Sequence, residues 1–256
     1  MSKLQIRSVG KHYQGHDGGR LTVLSNIELN VESGQFLSIV GPSGCGKSTL
    51  LRLIAGLDQD YEGSILLNGK QISGPSLARG IVFQDHRLLP WLTLEQNVAL
   101  SLENAPGSSK EKAKIVREHI TLVGLNGFEQ AYPYQLSGGM AQRAAIARAL
   151  VNKPEVLLLD EPLGALDALT RLRLQDELLR IWRFEKTTMI LVTHDVGEAI
   201  FLSNEIAVMS AKPGRISRQL TVDLDYPRRR SSPEFVALQS EVLAEMNVFE
   251  AASEAA

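Results

Sequence analysis

Eight residues, Gly41-Pro42-Ser43-Gly44-Cys45-Gly46-Lys47-Ser48, fit the spacing G-x-x-x-x-G-K-S/T, and Thr49 follows them. Glycines at these positions let consecutive backbone N–H groups turn inward, which makes an anion-binding concavity at the start of a helix. In such a loop Lys47 reaches the β- and γ-phosphates of a nucleoside triphosphate, and the Ser48 hydroxyl ligates Mg²⁺. The chemistry implied is phosphate binding followed by hydrolysis.

Asp160 and Glu161 close the apolar run "VLLLDE". A carboxylate at the C-terminal end of a parallel strand beside a phosphate loop is placed to hold Mg²⁺. Its neighbour Glu161 is placed to polarise a water for in-line attack. His194 ends "MILVTH" and Gln84 follows "IVF", so parallel strand order would bring both to the same sheet edge as Asp160. On spacing alone each reads equally well as a structural residue or as a γ-phosphate contact. No N-K-x-D tetrad follows a strand, so there is no guanine code.

A second phosphate grip lies in "LSGGMAQRAAIARAL", Leu136 to Leu150. Ser137 reads as an N-cap, Gly138 and Gly139 follow, and a helix runs on. The segment has neither the lysine nor the carboxylate of a hydrolytic site. Ser137 and the N–H groups of the two glycines therefore suit a γ-phosphate already held elsewhere, on a second copy of the chain.

The elements that must position these residues are legible around them. "KLQIRSVGKHY" and "LSNIELNVESG" are strands, the second with apolar alternation at Ile27, Leu29 and Val31. "GQFLSIVG" enters the phosphate loop as a strand, and "STLLRLIAGL" leaves it with helical spacing. "EGSILLNG" and "RGIVFQD" are further strands. From residue 88 to 153 the pattern is helical, with Ala113, Val116, Ile120 and Val123 on one face of a helix. "EVLLLDEP" and "TTMILVTHD" are apolar runs of the type buried on both faces. Between them lies an amphipathic helix whose apolar positions include Leu172, Leu179 and Trp182. This organisation is one domain over 1–256: an α/β core over 1–87 and 154–210, a helical insertion over 88–153, and an appendix over 211–256. The appendix is expected to contain a helix near 233–247, capped by Ser232, and a frayed end at "EAASEAA".

The 256 residues carry a net charge of -2, which argues against binding nucleic acid through bulk charge. "PRRR", ending at Arg230, reads as a solvated turn. Cys45 is the only cysteine, which excludes an intrachain disulfide and fits a reducing compartment. It is either open to alkylation and shielded by nucleotide, or a small filler without access. No apolar stretch reaches the roughly 18 residues of a membrane span, and "MSKLQIRSVG" lacks a signal-peptide core. The chain is expected in the cytoplasm, with any membrane association made through a partner.

Taken in order, Tyr13, the phosphate loop, Gln84, "LSGGM", "LLLDEP", "ALD" at Ala165 to Asp167, and His194 resemble the ATP-binding cassette ATPases over nearly the whole chain. The resemblance implies an α/β P-loop fold with a RecA-like parallel-sheet core, an N-terminal antiparallel β subdomain and an inserted α-helical subdomain. It implies ATP and Mg²⁺ as ligands, with Tyr13 stacking on adenine and Gln84 contacting Mg²⁺ and the attacking water. It further implies Asp167 at a dimer seam, His194 on the γ-phosphate, and head-to-tail pairs enclosing two nucleotides. "FQDHRLLPWLTLEQNV", "THDVGEAIFLS", "KPGRI" and the late "SPEF" helix resemble the importer ATPases for nitrate, sulfonate and taurine, the aliphatic sulfonate importers most of all. In that group Leu88 to Val98 would receive a helix of a multi-span permease, where the bland reading is packing between subdomains. A solute-binding protein would be an indirect partner, and the chain would sit peripherally on the cytoplasmic side of the membrane. One departure is Ala141, where the group usually has Lys or Arg. Soluble cassettes acting on nucleic acid or ribosomes, and P-loop kinases, are the competing classes. The former usually carry two cassettes or a long coiled-coil insertion, and the latter need no signature helix.

Overall fold

The computed structural model describes residues 3–14 and 19–254. In chain order it has β1 (Leu4–Gln14), β2 (Arg20–Val31), β3 (Phe36–Val40), α1 (Lys47–Ala55), β4 (Glu62–Leu67), β5 (Lys70–Gln71) and β6 (Arg79–Val82). Then come α2 (Leu94–Ala99), α3 (Ser109–Leu122), α4 (Gly138–Leu150), β7 (Val156–Asp160) and α5 (Ala168–Glu185). The last part contains β8 (Thr188–Thr193), α6 (Val196–Leu202), β9 (Glu205–Ser210), β10 (Arg215–Thr221) and α7 (Pro233–Glu254). The chain divides into two compact units, Met1–Ser76 with Thr188–Ala256, and Leu77–Thr187.

In the first unit β1 pairs antiparallel with β2 and with β4. Leu4 and Ile6 alternate inward on β1, opposite Leu67 and Ile65 of β4, and all four are buried. This is the period of a sheet with one covered face. β3 pairs parallel with both β8 and β9. Every residue of β3 and β8 is buried, as expected of strands covered on both faces. Val40 lies opposite Thr193 on one side and Val208 on the other, so three strands end together at the edge where the phosphate loop begins.

The appendix is more than a terminal helix. β10 pairs antiparallel with β9. Arg228, inside the run expected to be a solvated turn, is buried. Its guanidinium donates to the carbonyls of Ser203 (2.6 Å), Val222 (3.2 Å), Leu224 (3.0 Å) and Ile200, and the Tyr226 hydroxyl donates to Leu202 O (2.8 Å). A helix end leaves its last carbonyls without intrahelical partners, and a cation there meets the negative end of the helix dipole. Pro227, Arg229 and Arg230 of the run are exposed. α7 buries Phe235 and Val242, and Ser232 accepts from Phe235 N at 3.2 Å as its cap. The helix continues through most of the end expected to fray; Ala255 and Ala256 lie outside the described residues.

In the second unit β6 and β7 pair parallel, with Val82 opposite Leu159. Thr93 with Gln96 and Ser108 with Glu111 form capping boxes that start α2 and α3. α3 buries Val116, His119 and Ile120. α5 buries Leu174, Leu178, Leu179 and Ile181, while Leu172 is exposed and Trp182 half-buried. Residues two apart on a helix point to nearly opposite sides, so a face defined by Leu174 and Leu178 turns Leu172 outward. No helix among the described residues is long and apolar enough to cross a membrane.

Candidate functional site

The first unit holds the phosphate loop. Gly46 is the N-cap of α1 with φ 101°, in the left-handed region, and a Cβ there would lie 2.6 Å from Leu24 Cδ2. A Cβ on Gly41 would lie 2.4 Å from Met209 O, so the loop sits hard against β9. Both positions exclude any side chain. α1 begins with no side-chain cap and no acid in its first turn, so the positive end of its dipole is not neutralised locally. Lys47 is buried, and its ammonium donates back to Gly41 O (2.8 Å) and Pro42 O (2.9 Å) across the loop. Ser43, Gly44 and Ser48 are exposed, and Pro42 and Thr49 are half-buried. Exposed backbone at a helix start without cap or acid can receive an anion. Cys45 is buried against it at 1% exposure; burial raises its thiol pKa, opposed by the nearby Lys47 ammonium.

Gly214, in "KPGRI", is wedged behind this loop. Its N–H donates to Val23 O (2.8 Å), its carbonyl accepts from Ser25 N (3.0 Å), and a Cβ would lie 2.1 Å from Cys45 O. The string "KPGRI" carries the resemblance, but its spacing does not show why a glycine is needed, because the clash is with distant backbone.

His194 directly follows Thr193, whose register partner is Val40, so it stands at the strand edge from which the phosphate loop departs. Thr193 Oγ1 donates to Glu198 (2.6 Å) and accepts from Asp195 N (3.0 Å), and Asp195 caps α6 by accepting from Glu198 N (3.0 Å). His194 is held between two anchored neighbours, a network that a lone histidine at a strand end does not announce.

Tyr13 is 40% exposed on β1 and donates its hydroxyl to Asp58 (3.3 Å). The Lys11 ammonium lies 4.7 Å from its ring centroid and bonds Asp58 (3.0 Å) and Asp60 O (2.5 Å). Burial of Lys11 favours its neutral form, but the hydrogen bonds it donates to Asp58 and Asp60, together with the charge of both carboxylates, outweigh this and raise its pKa. Burial raises the pKa of Asp58, but the bond from Lys11, the Asp60 backbone N–H, the Lys11 charge and the Tyr13 hydroxyl together lower it. Neither residue stands out in the sequence.

The second unit brings Gln84 and Glu161 together. β6 and β7 end side by side, Asp160 being the last residue of β7 and half-buried. Glu161 has φ 46°, a strained conformation for a non-glycine residue and one that clusters at functional sites. A Cβ on Gly164 would lie 3.3 Å from Gln84 Nε2 and 3.8 Å from a Glu161 carboxylate oxygen, so both side chains converge on that glycine.

Ser137 is the N-cap of α4 and accepts from Met140 N at 3.3 Å, which leaves its proton to donate outward. Gly138 is exposed, and a Cβ on Gly139 would lie 2.5 Å from Thr170 Cγ2. Asp167 is exposed and caps α5 from Leu169 N (3.1 Å) and Thr170 N (3.0 Å); bonds from Thr170 hold its carboxyl below the usual range. Ala141 is buried, so the departure from the group's usual cation is accommodated inside the helix packing.

In the segment after Gln84, Leu88 is buried, Leu89 half-buried and Trp91 68% exposed. Buried Asn97 staples it, accepting from Leu89 N (2.8 Å) and donating to the carbonyls of Leu89 (3.1 Å), Leu92 (3.0 Å) and Thr93 (3.0 Å). Packing and exposure are thus divided between residues of one segment. Among the described residues no group of three or more His, Cys, Asp or Glu is placed to hold a metal. Mg²⁺ on a nucleotide needs no such cage, since one carboxylate, one hydroxyl, water and phosphate oxygens satisfy it.

Residues 24–164 match the family model described as ABC transporter. The chain belongs to the ABC transporter family. Its cassette is 56% identical over 229 residues to the aliphatic sulfonates import ATP-binding protein SsuB of Bacillus subtilis (strain 168), covering 90% of this chain and 89% of that one. It is 54% identical to the SsuB of Bacillus licheniformis, covering 96% and 95% of the two chains. Among solved structures, the ATP-binding cassette MJ0796, a dimeric post-hydrolysis state bound to ADP and Pi, aligns with a TM-score of 0.75. That alignment has 33% identity and covers 87% of this chain and 100% of the other. The α/β P-loop class of the cassette follows from both.

Proposed function

We propose that this chain is the ATP-hydrolysing subunit of an importer for a small organic anion, an aliphatic sulfonate or taurine, or for nitrate. The observation that carries the reading is the phosphate loop: a glycine cradle on an uncapped, acid-free helix start, crossed by buried Lys47. Gly41 to Thr49 hold the triphosphate, and Tyr13 takes the adenine on the ring face away from Lys11. On this reading Ser48, Gln84 and Asp160 would hold Mg²⁺, and the ion would supply positive charge against the charge that develops on the phosphate. Glu161 holds the attacking water and takes its proton, Gln84 orients that water, and His194 grips the γ-phosphate.

Two copies close head to tail, with Ser137, Gly138, Gly139 and Asp167 of each completing the nucleotide site of the other. The dimeric cassette structures and the sulfonate import relatives support this reading. Residues 88–153 act as the helical signature subdomain. Leu88 to Val98 receive a membrane-embedded permease, and exposed Trp91 anchors the contact. A solute-binding protein delivers the anion to that permease, and the cassette sits peripherally at the cytoplasmic face of the membrane through it.

Purification of the tagged chain from its native membranes tests the assignment. Recovery of a multi-span permease is expected, whereas ribosomes or DNA in its place would overturn it. Uptake of nitrate, taurine and alkanesulfonates in a strain lacking the chain identifies the solute.

A further inference from the structure

α4 is the helix that Ser137 starts, and two of its side chains are bonded to the backbone around Gln84. Buried Gln142 donates its amide to Phe83 O at 3.1 Å. The Arg148 guanidinium donates to His86 O at 2.9 Å and to Arg87 O at 2.7 Å. The carbonyls lie on both sides of Gln84, so the loop is held at two points by one helix. A forked guanidinium fixes direction as well as distance, which a single amine cannot. The same helix is fixed at its other end, where Gly139 packs on Thr170 of α5 too closely to admit a Cβ. A cavity of about 390 Å³, lined by Gln84, His86, Gly138, Gln142 and Leu166 among others, lies between the start of α4 and this loop.

We infer that Gln142 and Arg148 are positioning residues that couple the two nucleotide sites of the dimer. The inference rests on Ser137 contacting the nucleotide of the partner chain. When Ser137 engages that nucleotide, α4 takes a fixed position. Through Phe83, His86 and Arg87 it then fixes Gln84, which serves the nucleotide on its own chain. Occupation of one site thereby orders the water-positioning side chain of the other. An α-helix transmits such a displacement because its internal hydrogen bonds and close packing resist bending. The segment running on from Arg87 to Trp91 moves with the same tether.

The test compares wild-type full-length protein with Arg148→Lys, which keeps the charge and loses the fork, and Gln142→Met, which keeps the shape and loses the donor. ATPase rates are measured over a range of MgATP, with the Hill coefficient as the main readout. A second readout is Trp91 emission upon MgATP addition, in a Trp182→Phe background. Expected results are a wild-type Hill coefficient near 2 that falls towards 1 in both variants. A roughly ten-fold loss of kcat and loss of the Trp91 response accompany it, while the affinity for a fluorescent ATP analogue stays within about two-fold. Folded variants with wild-type Hill coefficient and kcat would overturn the tether. Ser137→Arg separates the two ideas. If it abolishes cooperativity while the tether variants keep it, only the tether fails; if it leaves cooperativity intact, the reading of Ser137 fails.

Discussion

The Lys11 ammonium lies 4.7 Å from the centroid of the Tyr13 ring, and both groups are bonded to Asp58. One face of the ring is thus covered by a cation that is itself locked, and the ring is fixed by its own hydroxyl. A base that stacks on the remaining face meets a preorganised platform. Base–aromatic stacking contributes about 1–3 kcal/mol. Tyr13→Ala is therefore expected to raise the KM for ATP roughly ten-fold with little change in kcat. Tyr13→Phe, which keeps the ring but not the Asp58 bond, is expected to fall between the two. Steady-state kinetics decides it: an unchanged KM in the alanine variant places the adenine elsewhere.

The same cluster makes a pH prediction. In the unfolded chain Asp58 titrates near ~3.9 and Lys11 near ~10.4. The folded carboxyl is lowered, so its contribution is present above its unfolded value and lost as pH falls through the folded value. The folded ammonium is raised, so its contribution is present below its unfolded value and lost as pH rises through the folded one. The pair is intact between roughly pH 5 and 9 on these reference values. Thermal melts of wild type and Asp58→Asn are expected to differ by a constant Tm gap over that range and to converge towards pH 3. A gap unchanged at pH 3 would exclude the ionised pair as its source.

Glu161 is strained at φ 46° and its carboxylate shares the surroundings of Gly164 with Gln84 Nε2. Glu161→Gln keeps shape and backbone strain while removing the proton acceptor. A loss of kcat of about 10²–10⁴-fold is expected, with ATP binding retained and ATP-bound dimers accumulating. Single-turnover hydrolysis and gel filtration with MgATP measure both. Wild-type turnover would mean that another group accepts the proton.

Most of the fold was legible because each element carries its own periodicity. The fully buried β3 and β8, and β7 up to Leu159, are apolar runs, and Ser108 with Glu111 announces a helix start. The phosphate loop and Ser137 were legible because their chemistry is local in sequence. What was hidden depends on long-range contacts: Lys11 with Asp58, Gly214 against Cys45 O, and Arg228 on the end of α6. "PRRR" shows the limit well. Charge density predicts solvent exposure, yet Arg228 is buried because a helix C-terminus offers it carbonyls that no sequence window contains.

Cys45 is reached by reagents only if the phosphate loop opens. Its burial and raised thiol pKa both oppose attack, since the thiolate is the nucleophile. Iodoacetamide at neutral pH is expected to label it at least roughly ten-fold more slowly than an exposed thiol, with or without MgATP. Mass spectrometry of timed samples measures this. Fast labelling that MgATP suppresses would show that the empty loop opens in solution.

Trp91 presents a large apolar surface that Asn97 holds in place without covering it. An exposed indole on a stapled segment is a preformed anchor, and such residues dominate interface energies. Because Leu88, not Trp91, provides the buried packing of this segment, Trp91→Ala should leave the fold intact. Basal ATPase is expected within about two-fold of wild type. Solute-stimulated ATPase and uptake with the reconstituted permease are expected to fall roughly ten-fold or more, the scale of a hot-spot residue. Uptake at the wild-type rate would remove Trp91 from the interface. Equal loss of basal and stimulated activity would instead assign it to the cassette's own integrity, and a Leu88→Ala control calibrates that outcome.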